Sequence, residues 1–207
     1  TSRSDEVKRK VLELSIDSWE AYIEEQDDIA TQWIRAAKQR GNKPLISDTT
    51  GLSLSGTGAL IASSLMARNL KNICEQNVGV LLPPSGAGAL CNMALLQNGK
   101  TLVNLNFTAG LSAIRSALSQ AEIQTIVTSR QFLKRLNGKG ICLDALSESA
   151  QFIYLEDIKK EIGFLEKLSV AGLCHVLPSK LLHQLFTAKQ NSSSTAAILF
   201  SSGSEGA

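Results

Sequence analysis

The densest set of anion-binding groups in this chain lies in its last residues. In "AAILFSSGSEGA", residues 196–207, a short apolar run ends in Ser201, Ser202, Gly203, Ser204, Glu205 and Gly206. Glycines let a backbone approach a ligand closely, successive N–H groups can cradle phosphate oxygens, and serine hydroxyls add donors. The stretch reads as a buried strand entering a phosphate-binding loop, with an ordinary small-residue turn as the plain alternative. It is not a Walker A loop, because two residues separate Gly203 from Gly206 and no Lys-Ser/Thr follows. The Glu205 carboxylate repels phosphate, so it either points away or helps to hold magnesium.

A second turn, "PPSGAG" (83–88), follows an apolar run and opens a helical one. A flavodoxin-like nucleotide-binding domain would place its site at such a turn, near a topological switch point. The turn lacks a full G-x-G-x-x-G, and a tight strand-to-helix connection is the preferred reading. Cys74, Cys91, Cys142 and Cys174 are too far apart in sequence for a zinc-type pair. They read as four separate small core residues in a reducing cytoplasm. His175 and His183 have no acidic sequence neighbour at ligand spacing, so structural roles are expected of them. No metal site is expected, nor any catalytic acid, base or nucleophile.

The elements that must position the terminal loop follow a clear order. Residues 5–40 read as two helices. Leu12, Ile16, Trp19 and Ile23 line one face of the first, and Ile29, Trp33 and Ala37 one stripe of the second. Asp27-Asp28 starts the second helix and Gly41 caps it. The acidic run in this region reads as a solvated face. Residues 1–26 are taken as a helical linker or docking segment, and 27–207 as an α/β unit.

"PLISDTTGLSLSG" (44–56) gives two short extended segments around a Thr-Thr-Gly turn. Residues 57–73 form a helix. Strands at 78–82, 101–105 and 124–129 then alternate with helices at 87–97 and 111–121, and Ser129 caps "RQFLKRL". Asn98-Gly99 and Asn137-Gly138 end helices. "AQFIYLEDI" (150–158) reads as a strand, "DIKKEIGFLEKL" and "SKLLHQLF" as helices, and "NSSSTAAILF" as a polar loop and a final strand. Short apolar strands alternating with helices imply right-handed crossovers and a mostly parallel sheet covered by helices on both faces, an α/β fold.

Composition agrees. Apolar residues make up 43% of the 207 and charged residues 19%, enough for a real core. A net charge of +2 with scarce aromatics argues against nucleic acid as a partner. No signal peptide opens the chain. The charge-poor stretch 77–98 is long enough to suggest a membrane span, but Pro83-Pro84 and the glycines break it into strand, turn and helix.

"NVGVLLPPSGAGALCNMALLQNGKTLVNLNFT", "QAEIQTIVTSRQFLKRL" and the terminal loop together resemble the N-terminal subdomain of adenylate-forming acyl-activating enzymes. In that superfamily a loop of the type Tyr/Phe-Thr-Ser-Gly-Ser/Thr-Thr/Glu-Gly-x-Pro-Lys-Gly binds the ATP phosphates, and Phe200 to Ala207 match its first eight positions. The Ser-Glu-Gly variant and "VNLNFT" (103–108) look closest to acyl–acyl carrier protein synthetases. The best-known of these are fused to a 2-acylglycerophosphoethanolamine acyltransferase. "SIDSWEAYIEEQDDIATQWIRAAKQRGNKPLISD" resembles their linker and first helices. One departure is that Leu102-Val103 stands where the family usually has a proline.

The resemblance implies a parent enzyme that uses ATP and Mg2+ to activate a fatty acid and passes the acyl group to acyl carrier protein, with coenzyme A as an alternative acceptor. It implies a cytoplasmic protein, its parent associated with the inner face of the membrane. Ser201 to Gly206 would be the only nucleotide-binding residues present. The family's ribose-binding aspartate, small C-terminal domain and catalytic lysine have no counterpart here. The chain therefore reads as a piece of a longer protein, inactive alone and with a mobile loop from about residue 202. A non-catalytic module that docks through its first helix is the alternative from another class.

Overall fold

A computed structural model describes residues 3–24, 27–189 and 194–200. Helix α1 spans Arg3–Glu24 and α2 spans Ile29–Arg40. A hairpin of β1 (Pro44–Ser47) and β2 (Ser53–Ser55) leads into α3 (Gly56–Leu70). The alternating part follows: β3 (Asn77–Leu81), α4 (Gly86–Gln97), β4 (Thr101–Asn104), α5 (Leu111–Gln120), β5 (Thr125–Thr128) and α6 (Arg130–Asn137). A short 3-10 helix (Asp144–Glu148), β6 (Gln151–Tyr154), α7 (Leu155–Glu161), α8 (Phe164–Val176), α9 (Ser179–Phe186) and β7 (Ala197–Ile198) complete the order.

The main sheet has the order β6-β5-β3-β4-β7, and every pairing in it is parallel. The chain starts in the middle at β3, steps outward to β4, then returns across β3 to β5 and β6. Right-handed crossovers therefore place α4 on one face, and α5 and α6 on the other. The cores confirm this. Val78, Val80, Leu102 and Val127 pack with Cys91, Ala94 and Leu95 of α4. Leu81, Val103 and Ile126 pack with Ile114 and Leu118 of α5 and Leu133 of α6. Alternate strand residues thus serve opposite layers, as a two-sided sheet requires.

The helix ends follow local chemistry. Asp28 caps α2, its Oδ1 accepting from Thr31 N at 2.8 Å. Asn98-Gly99 stops α4 with Gly99 at φ +73°; Gly99 N donates to Leu96 O and Lys100 N to Leu95 O. Ser129 caps α6 as its sequence position implies, its Oγ accepting from Phe132 N.

Several expectations need correction. Strand β6 stops at Tyr154 instead of running to residue 158, and Leu155–Glu161 is helical. Glu156 and Asp157 in the first turn and Lys159 and Lys160 in the last complement the helix dipole, which favours a helix there. The helix read across "DIKKEIGFLEKL" breaks at Ile162-Gly163. Two of the cysteines are not core residues: Cys91 and Cys174 are buried, but Cys74 and Cys142 lie exposed in connections. Burial pushes the Cys91 thiol up to about 12. Burial also raises Cys174 to about 11, with Lys38 pulling weakly the other way.

Every residue from 5 to 19 on α1 is exposed, including Leu12, Ile16 and Trp19 (60%). The side chain of Ile23 lies outside the described residues, as do residues 25 and 26 next to the expected segment boundary. No described helix is long and apolar enough to cross a membrane.

The start of α3 packs on the end of α2. Gly56 N donates to Lys43 O and Thr57 N to Gly41 O, and a Cβ on Gly56 would lie 2.3 Å from Ala37 O. Gly56→Ala is expected to lower stability in urea unfolding by about 1–3 kcal/mol, the usual cost of overpacking. An unchanged midpoint would contradict this close approach.

Candidate functional site at the carboxyl edge of the sheet

In a parallel sheet every crossover helix begins at the carboxyl edge, where ligands of open α/β folds bind. The direction of the chain reverses between β3 and β5, so "PPSGAG" at the start of α4 and "TSRQ" at the start of α6 flank the switch point. Helix N-termini carry unpaired N–H groups and partial positive charge, and both positions are natural anion sites.

Both are already filled by the protein's own carboxylates. At α4, Gly86 N donates to Asp48 Oδ2 at 2.7 Å, and Gly88 N donates to Ser85 Oγ. Asp48 sits in the β1–β2 turn, where its Oδ1 accepts from Thr50 N, Thr50 Oγ1 and Leu52 N. The Thr50 hydroxyl and then the Gly86 N–H hold this carboxyl below the usual carboxylate range. A Cβ on Gly86 would meet Leu52 Cδ2 at 2.5 Å and Ile46 Cγ2 at 2.9 Å. The small residues of "PPSGAG" thus make room for the hairpin, and the turn is a tight strand-to-helix connection.

At α6, Glu156 Oε1 accepts from Ser129 Oγ (2.7 Å) and Gln131 N (3.1 Å), while Oε2 accepts from Arg130 N (3.1 Å). Burial pushes Glu156 up, but the Gln131 N–H, the Ser129 hydroxyl and further backbone donors outweigh it and hold the carboxyl low. The next residue, Asp157, takes both terminal nitrogens of Arg130 at 2.7 Å, and the Arg130 guanidinium lies 3.8 Å from the centre of the Tyr154 ring.

The side of the edge nearer β4 and β7 differs. Helix α5 begins at Gly110 (φ +86°) without a side-chain cap. Before it, Asn106 Oδ1 accepts from the backbone and hydroxyl of Thr108. Beside it, β7 pairs with β4 in the register Leu102↔Ala197 and Val103↔Ile198, so the chain leaves the sheet at this edge through Leu199 and Phe200. The sequence-predicted site, Ser201, Ser202, Gly203, Ser204, Glu205 and Gly206, lies outside the described residues, as does its expected mobility.

Neither histidine gathers a metal set. His175 Nδ1 is 2.7 Å from Ala171 O, and His183 Nε2 is 3.8 Å from Asp28 Oδ2, a neighbour supplied by the fold and not by sequence spacing. Among the described residues no group of three His, Cys, Asp or Glu is placed to hold a metal ion.

The functionally telling residues that sequence reasoning passed over are Asp48, Arg130, Glu156 and Asp157. For Asp48 a signal existed: Asp-Thr-Thr-Gly is an Asx-turn pattern. For Glu156 it was hidden by reading "LEDI" as strand.

The sign of the Asp48 shift sets a test. A carboxyl held low in the fold stabilises above its unfolded pKa of about 3.9, and that contribution is lost as pH falls through the folded value. Urea unfolding is expected to show Asp48→Ala less stable than wild type at pH 7, with the gap narrowing below about pH 4. A gap that does not change with pH would contradict the carboxylate's role.

Comparison with known proteins places this geometry. No family model matches the sequence. The 4-coumarate–CoA ligase-like 6 protein of Arabidopsis thaliana is 25% identical over 182 residues, covering 82% of this chain and 29% of that protein. The chain thus spans less than a third of the length of this curated relative. The structure of VinN with 3-methylaspartate superposes with a TM-score of 0.60 at 13% identity, over 86% of this chain and 45% of that one. The O-succinylbenzoate coenzyme A synthetase of Bacillus subtilis with AMP gives 0.58 at 16% identity, over 84% and 39%. The fold resembles the N-terminal subdomain of adenylate-forming enzymes, and the sequence similarity to a coenzyme A ligase-like protein agrees with that likeness.

Proposed function

We propose that residues 1–207 are the N-terminal part of an ATP-dependent acid–thiol ligase. In such an enzyme a carboxylate displaces pyrophosphate from ATP, and the acyl group then passes to a thiol. The observation that carries the reading is the direction of β7. It carries the chain through Leu199 and Phe200 toward the carboxyl edge, the edge at which α5 starts without a side-chain cap. Of the other helix starts at that edge, α4 and α6 are occupied by Asp48 and Glu156, and α7 follows β6 directly.

In this reading Ser201, Ser202, Gly203, Ser204 and Gly206 cradle the phosphates. Backbone N–H groups and hydroxyls fixed in place stabilise the leaving pyrophosphate without reorganising. Magnesium would offset phosphate charge, but the described residues offer it no ligand cluster. The acid is a fatty acid and the acceptor acyl carrier protein, with an acyltransferase fused to the ligase. That assignment rests on the resemblance of "VNLNFT" and Ser-Glu-Gly. Coenzyme A as the acceptor is equally consistent with the coenzyme A ligases among the similar proteins.

A second reading, a docking module, draws on the exposed apolar residues of α1.

Fatty-acid-dependent ATP–pyrophosphate exchange tests the proposal. A polypeptide carrying these residues together with the rest of a relative-length chain is expected to exchange label. Residues 1–207 alone are expected to give none above blank. Supplying holo-acyl carrier protein or coenzyme A then identifies the acceptor. No exchange with any fatty acid from the intact, folded longer protein would overturn the ligase and favour the docking module.

A further inference from the structure

A cleft of about 590 Å³ opens at the opposite, amino edge of the sheet, where α3, α4 and α9 end. Its walls hold three cations, Arg68, Lys71 and Lys100, against one carboxylate, Glu166, and its apolar lining includes Ala67 and Phe186. This volume falls in the range of small-molecule sites.

Helix C-termini attract cations, and part of the positive charge here answers three of them. The carbonyls at those ends, however, are bonded elsewhere. Asn98 Nδ2 donates to Ala67 O, Ile73 N to Leu70 O, Ala188 N to Gln97 O, and both Thr187 N and its hydroxyl to His183 O. The cations are therefore not consumed as helix caps. Arg68 meets Glu166 through Nε alone, at 3.0 Å, which leaves its terminal nitrogens. Lys100 Nζ reaches Cys74 O at 3.4 Å. The Lys71 side chain makes no hydrogen bond or ion pair among the described residues. The cleft thus carries more charged donors than acceptors, beside apolar side chains.

We propose that this cleft binds a small organic phosphate. The phosphate would sit on Arg68, Lys71 and Lys100, and the apolar body on Ala67 and Phe186. A phosphate dianion carries twice the charge of a monocarboxylate and a third oxygen to share among donors, so it gains more from three cations around one cleft. The site lies at the other end of the strands from the carboxyl edge and does not depend on the ligase reading.

Phenyl phosphate is the probe, titrated into the 207-residue chain at low salt and followed by amide chemical shifts. Saturable shifts at Lys71, Asn98 to Lys100 and Phe186 to Ala188 are expected, with a Kd of about 1 mM or tighter. Binding is expected to weaken about tenfold in Lys71→Gln/Lys100→Gln and to fall with added salt. Lys71→Gln alone, at an exposed position, gives a smaller loss and guards against a folding defect in the double variant. Inorganic phosphate and benzoate should each bind more weakly. The proposal is overturned if no saturable shift appears, if the double variant binds as wild type does, if inorganic phosphate matches phenyl phosphate, or if the shifts map to Gly86–Gly88 instead.

Discussion

Parallel strands impose a polarity that the rest of this fold obeys. Because β3 to β7 run the same way, the crossover helices start at one edge and end at the other. One edge therefore gathers unpaired N–H groups and partial positive charge, and the other gathers carbonyls and partial negative charge. A buried or half-buried helix end must find partners, so each edge needs a chemical answer. At the starts of α4 and α6 on the carboxyl edge the answer is a carboxylate from elsewhere in the chain. Asp48 reaches α4 from the hairpin, and Glu156 reaches α6 from the start of α7. At the amino edge it is a set of Asn and Thr side chains on carbonyls, with cations around them.

These internal partners also tie separate elements together. The Asp48 bond fixes the hairpin over the turn into α4, and the apolar contacts of Ile46 and Leu52 at Gly86 leave no room there for a larger residue. Glu156 and Asp157 join the first turn of α7 to α6 through Ser129 and Arg130. The Arg130–Asp157 pair is about half exposed, so screening makes it a small contributor to stability; its effect is to hold the guanidinium over Tyr154. Both switch-point helix starts are thereby filled from within the chain.

Much of the architecture was readable because short apolar strands between amphipathic helices leave few alternatives. The runs at 78–82, 101–105 and 124–129 gave strands, and Asn98-Gly99 and Ser129 marked helix ends that the structure bears out. Partnerships were not readable. Nothing in "SDTTG" shows that its carboxylate crosses 38 positions to Gly86. "FIYLEDI" is apolar at strand-like spacing, yet the contacts of Glu156 with α6 are tertiary and decide the break at Tyr154. Cys74 and Cys142 looked like core residues because composition says nothing about which small apolar positions fall in connections. The terminal loop lies outside the described residues, and the structure adds only the edge toward which β7 carries Leu199 and Phe200.

The most direct test is an amide chemical-shift map of Mg·ATP binding to a longer polypeptide that contains this chain. The account predicts shifts at Gly110 and Leu111, at Leu199 and Phe200, and in the Ser201–Gly206 loop, with the starts of α4 and α6 unmoved. Shifts centred on Gly86–Gly88 or Arg130–Phe132, with the segment after β7 silent, would contradict it. They would mean that Asp48 or Glu156 gives way to nucleotide and that the switch point is the binding site.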